Sequence, residues 1–341
     1  MIEPTFVLAP MDGMTRASFR SVCFDYGADG ATTEMIQSLA LGRAKKRMSE
    51  KFEETLVRFP NEKNLAAQLI GSVPEMMAES ARRLTALERF DAIEVNMGCP
   101  ARTVVGSGNG AALLKTPELG VRILEAVREA TELPVRLKLR LGWDADAVTA
   151  PRLIEAAQAL GYQSVTLHGR TRAQRYSGEV DIPAMRAICD AFRIPIYANG
   201  GVTCARDALA FLDATHAAGV AIGRAALKQP WIFEDIARLR RGEAIRPRDA
   251  AERVALLIRL ATLACGHRPE RVAVCEMRKF CTWLLPGFTG APALLNELNG
   301  VVTLNGFTRA LEGYLEGLMR TNDLNQHPEL MGEQTLDTRQ L

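Results

Sequence analysis

Residues 94–115 read EVNMGCPARTVVGSGNGAALLK: a short apolar run, a glycine and a proline that stop it, a glycine-rich loop and a helix start. Residues 91–95 are β-rich and apolar enough for a strand buried in a parallel sheet, and residues 96–100 end it. Asn96 and Cys99 are therefore expected at the C-terminal tip of that strand. In parallel α/β folds ligands bind at such tips, so this is where chemistry should be sought.

The segments on either side repeat the same unit. Upstream, residues 6–11 (FVLAPM) deliver an apolar run into a tight turn at Ala9, Pro10 and Met11, and a second short strand spans 30–35 before a basic helix at 38–48. A third strand, 65–71 (LAAQLIG), carries Gln68 in an otherwise apolar run, and Pro74 opens the next helix as a first-turn proline. A buried glutamine must satisfy both ends of its amide, and a core partner or a ligand would each do so. Downstream, after a helix at 117–131, the fifth strand is 134–142 (PVRLKLRLG), where Arg136, Lys138 and Arg140 alternate with Val135, Leu137, Leu139 and Leu141. Period-two spacing puts the three cations on one face. Facing inward they would cost on the order of several kcal/mol unless compensated, so an anionic or electron-accepting ligand in the barrel mouth is expected.

Strand six, 164–171 (SVTLHGRT), sets His168 at its tip, with Arg170, Arg172, Arg175 and Tyr176 following. Strand seven, 194–202, ends in Asn199, Gly200 and Gly201, and strand eight, 219–225, in Gly223 and Arg224. Glycines there let backbone N–H groups approach an anion, with a favourable dipole from a helix start behind them. That matches the phosphate site of a (β/α)8 barrel, after strands seven and eight.

Eight strand-then-helix units give the expected fold class: α/β, a (β/α)8 TIM barrel over residues 1–240. From 248 to 320 the pattern turns helical without β runs, at 251–265, 272–285, 292–298 and 306–318, which reads as a smaller all-helical domain hinged by the Arg-rich segment 238–248. Residues 321–341 are polar and lack aromatics, so they are expected to be disordered.

Composition excludes several function classes. Of 341 residues 48% are apolar, enough for a large core, yet no long uncharged apolar run crosses a membrane and the N-terminus lacks a secretory signal. A cytoplasmic location is expected. Seven cysteines without CxxC spacing signal neither a disulfide framework nor a metal site. Lys and Arg (42) nearly balance Asp and Glu (40), so any polyanion partner would have to be held by local clusters. Three stand out: 43–47, 170–175 and 238–248. Taken alone, such runs read as solvated helix faces more readily than as an RNA surface.

The strand tips together offer a phosphate grip (Gly200, Gly201, Gly223, Arg224), a cation for an electron-rich ring (Lys138), an amide (Gln68) and a thiol (Cys99). That describes a flavin mononucleotide site with an acid beside it. The thiol between Gly98 and Pro100 could act as nucleophile, metal ligand or proton donor. With no neighbouring histidine or paired cysteine, proton donation fits best.

At these residues the chain resembles the flavin-dependent tRNA-dihydrouridine synthases. The likeness rests on APMDGMT (9–15), TEM (33–35), QLIG (68–71), EVNMGCP (94–100), GSGNGAALL (106–114), KLRLGW (138–143), HGRTRAQRYSG (168–178), ANGGV (198–202), IGRAALKQPWIF (222–233) and MRKFCTWLLPGFTG (277–290). The resemblance implies NADPH-driven, FMN-dependent reduction of a tRNA D-loop uridine, with hydride to C6 and Cys99 protonating C5. It implies that Gln68, Lys138, His168, Asn199, Gly200, Gly201, Gly223 and Arg224 hold FMN together with Pro10 and Met11. Asn96, Arg140 and Tyr176 would contact the flipped uracil, a flipping that costs a few kcal/mol. Arg102, Arg170 and Arg172 would grip RNA, helped by the helical domain. A monomer without metal is expected. The chain departs from the family pattern at Gly201, where an acidic residue is usual, and at Arg102, where a lysine is common. A flavin barrel acting on a free pyrimidine, or a tRNA-binding module without catalysis, are the competing readings.

Overall fold

The computed structural model describes residues 5–43 and 50–321. These fall into two compact units, one within Met1–Ala226 and Ile232–Ile236, the other within Leu227–Trp231 and Ala237–Leu341.

The first unit is a closed barrel of eight parallel strands in sequence order. They are β1 (Thr5–Leu8), β2 (Gly30–Gln37), β3 (Leu65–Ile70), β4 (Ala92–Met97), β5 (Val135–Arg140), β6 (Ser164–His168), β7 (Ile196–Asn199) and β8 (Gly219–Ile222), with β8 pairing back on β1. The expected TIM barrel is therefore present. Its covering helices include Pro74–Ala86, Pro117–Glu129 and Ala150–Ala159, each with a proline in its first turn, where the missing N–H has no helical partner to lose.

On β5 the alternation works as the spacing requires. Val135, Leu137 and Leu139 are fully buried, and Arg136, Lys138 and Arg140 take the other face at three successive heights in the barrel. Register sets Gln68 beside Glu94, Asn96 beside Lys138, Arg140 beside His168, and His168 beside Asn199.

Several boundaries differ from the sequence reading. β4 runs on through Met97, so Asn96 lies inside the strand and Cys99 two residues past its end. β2 continues to Gln37, with a bulge between Thr32 and Met35. Of the expected basic helix only Ser38–Arg43 is described; Lys45, Lys46 and Arg47 lie outside the described residues, as does the tail from residue 322. The helix after β8 has only five residues, Arg224–Lys228, too short for the dipole support expected there. The glycine-rich loop folds into a short helix, Arg102–Gly106, and a 3-10 turn, Gly110–Lys115. Gly110 sits at φ +58, and a β-carbon there would meet the Cys99 carbonyl oxygen at 3.0 Å. Only glycine allows that approach.

The second unit contains helices Ala250–Cys265, Glu270–Leu284, Ala291–Leu298 and Leu304–Thr321. Asp249 caps the first through a reciprocal bond with Glu252. The Arg-rich segment before it is largely committed within the protein. Arg246 pairs with Glu252, Arg238 and Arg241 reach Glu243, and Arg248 is buried over the Trp231 ring. Among the described residues no helix is long and apolar enough to cross a membrane.

Candidate active site

β4 supplies the first component. The side-chain oxygen of Asn96 accepts the N–H groups of Gly98 and Cys99, both at 3.0 Å, and so turns the chain out of the strand. The Asn96 amide nitrogen donates to Gln68 Oε1 at 2.9 Å, and Gln68 Nε2 donates to Glu94 Oε1 at 2.6 Å. Both ends of the buried Gln68 amide are thus satisfied by protein. Glu94 is buried, faces Lys138 and Arg136, and was missed in the sequence. The signal available was its place two residues before Asn96, hence on the same strand face.

The three cations of β5 have separate fates. Arg136, on the N-terminal side, donates to Gln163 at 2.7 Å and also to Asn64, beside a cavity of about 290 Å³ that Glu94, Thr166 and Tyr197 help to line. It takes no part in the mouth, contrary to the expectation for all three. Lys138 Nζ donates to Asn199 Oδ1 at 3.0 Å, and Asn199 in turn donates to the Ala221 carbonyl at 2.7 Å. Burial pushes the Lys138 ammonium from its usual 10.5 down to about 8, with Glu94 working against that shift. Arg140, 1% exposed, donates to the carbonyls of Gly98 (2.8 Å), Thr171 (3.0 Å) and Arg175 (2.6 Å). It braces the Cys99 loop against the loop after β6.

That second loop carries Tyr176, half-exposed, with the Arg140 guanidinium 5.3 Å and the Arg224 guanidinium 5.4 Å from its ring centre, and His168 at 6.5 Å. His168 is held well below its ordinary range by burial and by Arg140, Lys138, Arg170 and Arg224, so it is neutral. Arg170 Nη1 lies 3.3 Å from His168 Nε2, and since arginine can only donate, the ring proton belongs on Nδ1. Gly200 and Gly201 adopt φ +113 and +76, and a β-carbon on Gly200 would come within 2.8 Å of the His168 ring. Met11 reaches the tip of β8, its sulfur 3.7 Å from where a Gly223 β-carbon would stand. The Pro10–Met11 turn is closed by Thr15, whose hydroxyl binds the Met11 N–H and carbonyl.

The basic residues assigned to RNA divide. Arg102 is exposed at the start of its helix, and Arg172 stacks 4.2 Å over Trp143, whose ring also has Lys115 at 4.1 Å. Arg170 is placed differently. It is 6% exposed and its guanidinium holds the Gly178 carbonyl at 3.0 and 2.8 Å, so it is a support of the His168 loop.

Burial raises the half-buried Cys99 thiol above its usual value and Asp12 adds to this, while a backbone contact, Arg140 and Lys138 pull the other way. The thiol is therefore protonated at neutral pH, beside two cations that would stabilise its thiolate. Among the described residues no group of three or more His, Cys, Asp or Glu side chains could hold a metal ion.

This arrangement has relatives. A "Probable tRNA-dihydrouridine synthase" of Rickettsia conorii is 32% identical over 95% of this chain and 97% of its own length, and a "tRNA-dihydrouridine synthase B" of Serratia marcescens is 33% identical over 94% and 95%. A "Probable tRNA-dihydrouridine synthase" of Rhodobacter capsulatus reaches 39% over 71% of this chain and 74% of its own. Among solved structures, 6-hydroxypseudooxynicotine amine oxidase from Pseudomonas geniculata shares the barrel fold at TM-score 0.52 and 11% identity, covering 68% of this chain and 46% of that one. The family model described as dihydrouridine synthase matches residues 7–318. The chain belongs to the dihydrouridine synthase family.

Proposed function

We propose that this protein reduces the C5–C6 double bond of a uridine in the D-loop of tRNA, giving 5,6-dihydrouridine. The observation that carries the reading is a protonated Cys99 thiol, fixed at a strand tip by Asn96 and flanked by Lys138 and Arg140.

The residues of the mouth fit flavin mononucleotide. Gly200 and Gly201 leave bare backbone where a β-carbon on Gly200 would strike His168, and four cations crowd around that histidine, which suits a phosphate. Gly200, Gly201, Gly223 and Arg224 would hold the phosphate, while Lys138, Asn199, Gln68, His168 and the Pro10–Met11 turn would hold the ring system. When bound and reduced by NADPH, FMN supplies the hydride for uracil C6. Cys99 Sγ delivers its proton to C5 from the other side, so hydride plus proton saturate the double bond. Lys138 and Arg140 then stabilise the thiolate, and the half-buried sulfur regains its proton from solvent. Asn96 and Tyr176 would meet the flipped base, and Arg102, Arg172 and the helical unit would hold the RNA backbone. Arg140, its Nε and Nη1 donors taken by three carbonyls, serves by bracing.

The test is flavin reoxidation. Protein reduced anaerobically with NADPH should be reoxidised rapidly by tRNA from cells lacking this gene, and slowly by wild-type tRNA or free uridine. Indifference to tRNA with a reducible flavin would favour a small-molecule reductase. Failure to take up FMN would overturn the cofactor site.

A further inference from the structure

Glu94 has no place in the proposed reaction, yet it ends a hydrogen-bond chain that starts at the Cys99 loop. The links run from the Gly98 and Cys99 N–H groups to Asn96 Oδ1 (3.0 Å each), from Asn96 Nδ2 to Gln68 Oε1 (2.9 Å), and from Gln68 Nε2 to Glu94 Oε1 (2.6 Å). Asn96, Gln68 and Glu94 are all buried. Two amides in a row could each be turned either way, but the ends of this chain remove the choice. Backbone N–H groups only donate, so the Asn96 atom facing them is oxygen; Glu94 Oε1 accepts from Gln68, so the Gln68 atom facing it is nitrogen. Burial raises the Glu94 carboxyl above its usual range, while Lys138, the Gln68 bond, Arg136 and Thr32 pull it back down. The two ends demand the same sense, and the link between the amides then pairs a donor with an acceptor.

We infer that Glu94 is a positioning residue: acting through Gln68 and Asn96, it fixes the donor–acceptor sense of both amides and thereby the pose of the Cys99 loop. A consequence for recognition follows from the same bonds. Asn96 Oδ1 has both acceptor positions filled, so Asn96 can offer a ligand only its remaining N–H. It suits a ring edge carrying a carbonyl oxygen and opposes one carrying an amino group. The consequence for catalysis rests on the proposed role of Cys99; the structural relay does not.

Glu94 also faces Lys138 and Arg136, so the test must separate relay from counter-ion. A double-mutant cycle does this with Glu94→Gln, Gln68→Leu and the pair, read by hydrogen–deuterium exchange at the Gly98 and Cys99 amides of the flavin-free protein. Glu94→Gln replaces a charge-assisted bond by a neutral one and should speed exchange at these two amides about threefold. Gln68→Leu should speed it about five- to tenfold, the equivalent of losing an ordinary hydrogen bond. In the Gln68→Leu background Glu94→Gln should add nothing, because its route is already cut. In the loaded enzyme Glu94→Gln should lower kcat and leave the KM for tRNA unchanged. An equal effect of Glu94→Gln in both backgrounds, or none in either, overturns the relay. Should Glu94→Gln not fold, Glu94→Asp keeps the charge, withdraws the oxygen by one methylene and runs the same cycle with the same criteria. Unreactive enzyme with the expected exchange pattern would count against the uridine reading alone.

Discussion

Replacing Arg140 by methionine separates a bracing arginine from a base-reading one. The guanidinium serves three carbonyls, those of Gly98, Thr171 and Arg175, at 2.8, 3.0 and 2.6 Å, and is 1% exposed. Methionine fills much of the same space, so the dominant loss is the hydrogen bonds. Each buried carbonyl left without a donor costs about 1–3 kcal/mol. Two of the three bonds are only part-buried and water can replace them, which sets the sum near the low end, about 3 kcal/mol. The refund from no longer burying a cation among Lys138, Arg170 and Arg224 reduces it further, by an amount smaller than the sum because Tyr176 already stabilises that charge. With about 1–2 kcal/mol left, at about 2–4 °C per kcal/mol for a domain of this size, the melting temperature should fall by roughly 2–8 °C. Scanning calorimetry of the flavin-free protein measures it. A melting point within 1 °C of wild type, with tRNA affinity strongly reduced, would refute the bracing role and return Arg140 to the substrate.

Two further outcomes follow from the site. Cys99→Ala should fold and bind FMN and tRNA as before but lose uridine reduction by about 10²- to 10⁴-fold, the usual contribution of a positioned acid; unchanged single-turnover reduction would remove the thiol from the mechanism. Lys138 loses its charge as pH rises through about 8, so FMN affinity should decline across pH 7–9, and a flat profile in wild type, measured by fluorescence titration, would argue against contact between Lys138 and the cofactor. Its effect on stability has the opposite sign: between about 8 and 10.5 the unfolded chain binds this proton more tightly than the folded one, so this residue's contribution to stability rises with pH.

Much of the barrel was legible because local rules decide it. Strand runs stopped by glycine or proline, prolines at helix starts and period-two cations on β5 are short-range signals, and the structure closes eight parallel strands from them. What the sequence alone determined is therefore the order of the strands, which residues stand within a few positions of their tips, and that Arg136, Lys138 and Arg140 share a face. It could not say how high each cation sits in the barrel or what meets it. Arg136 finds Gln163 and Asn64, Lys138 finds Asn199, and Arg140 finds three carbonyls, partners 27 to 72 residues away in the chain. For the same reason Arg170 read as a surface charge and proved buried, and Glu94 read as one letter of a strand and proved to be the end of a relay. Spacing along a strand fixes the direction of a side chain; only closure of the barrel, which sets the register between strands, fixes its neighbours and hence its charge state and its role.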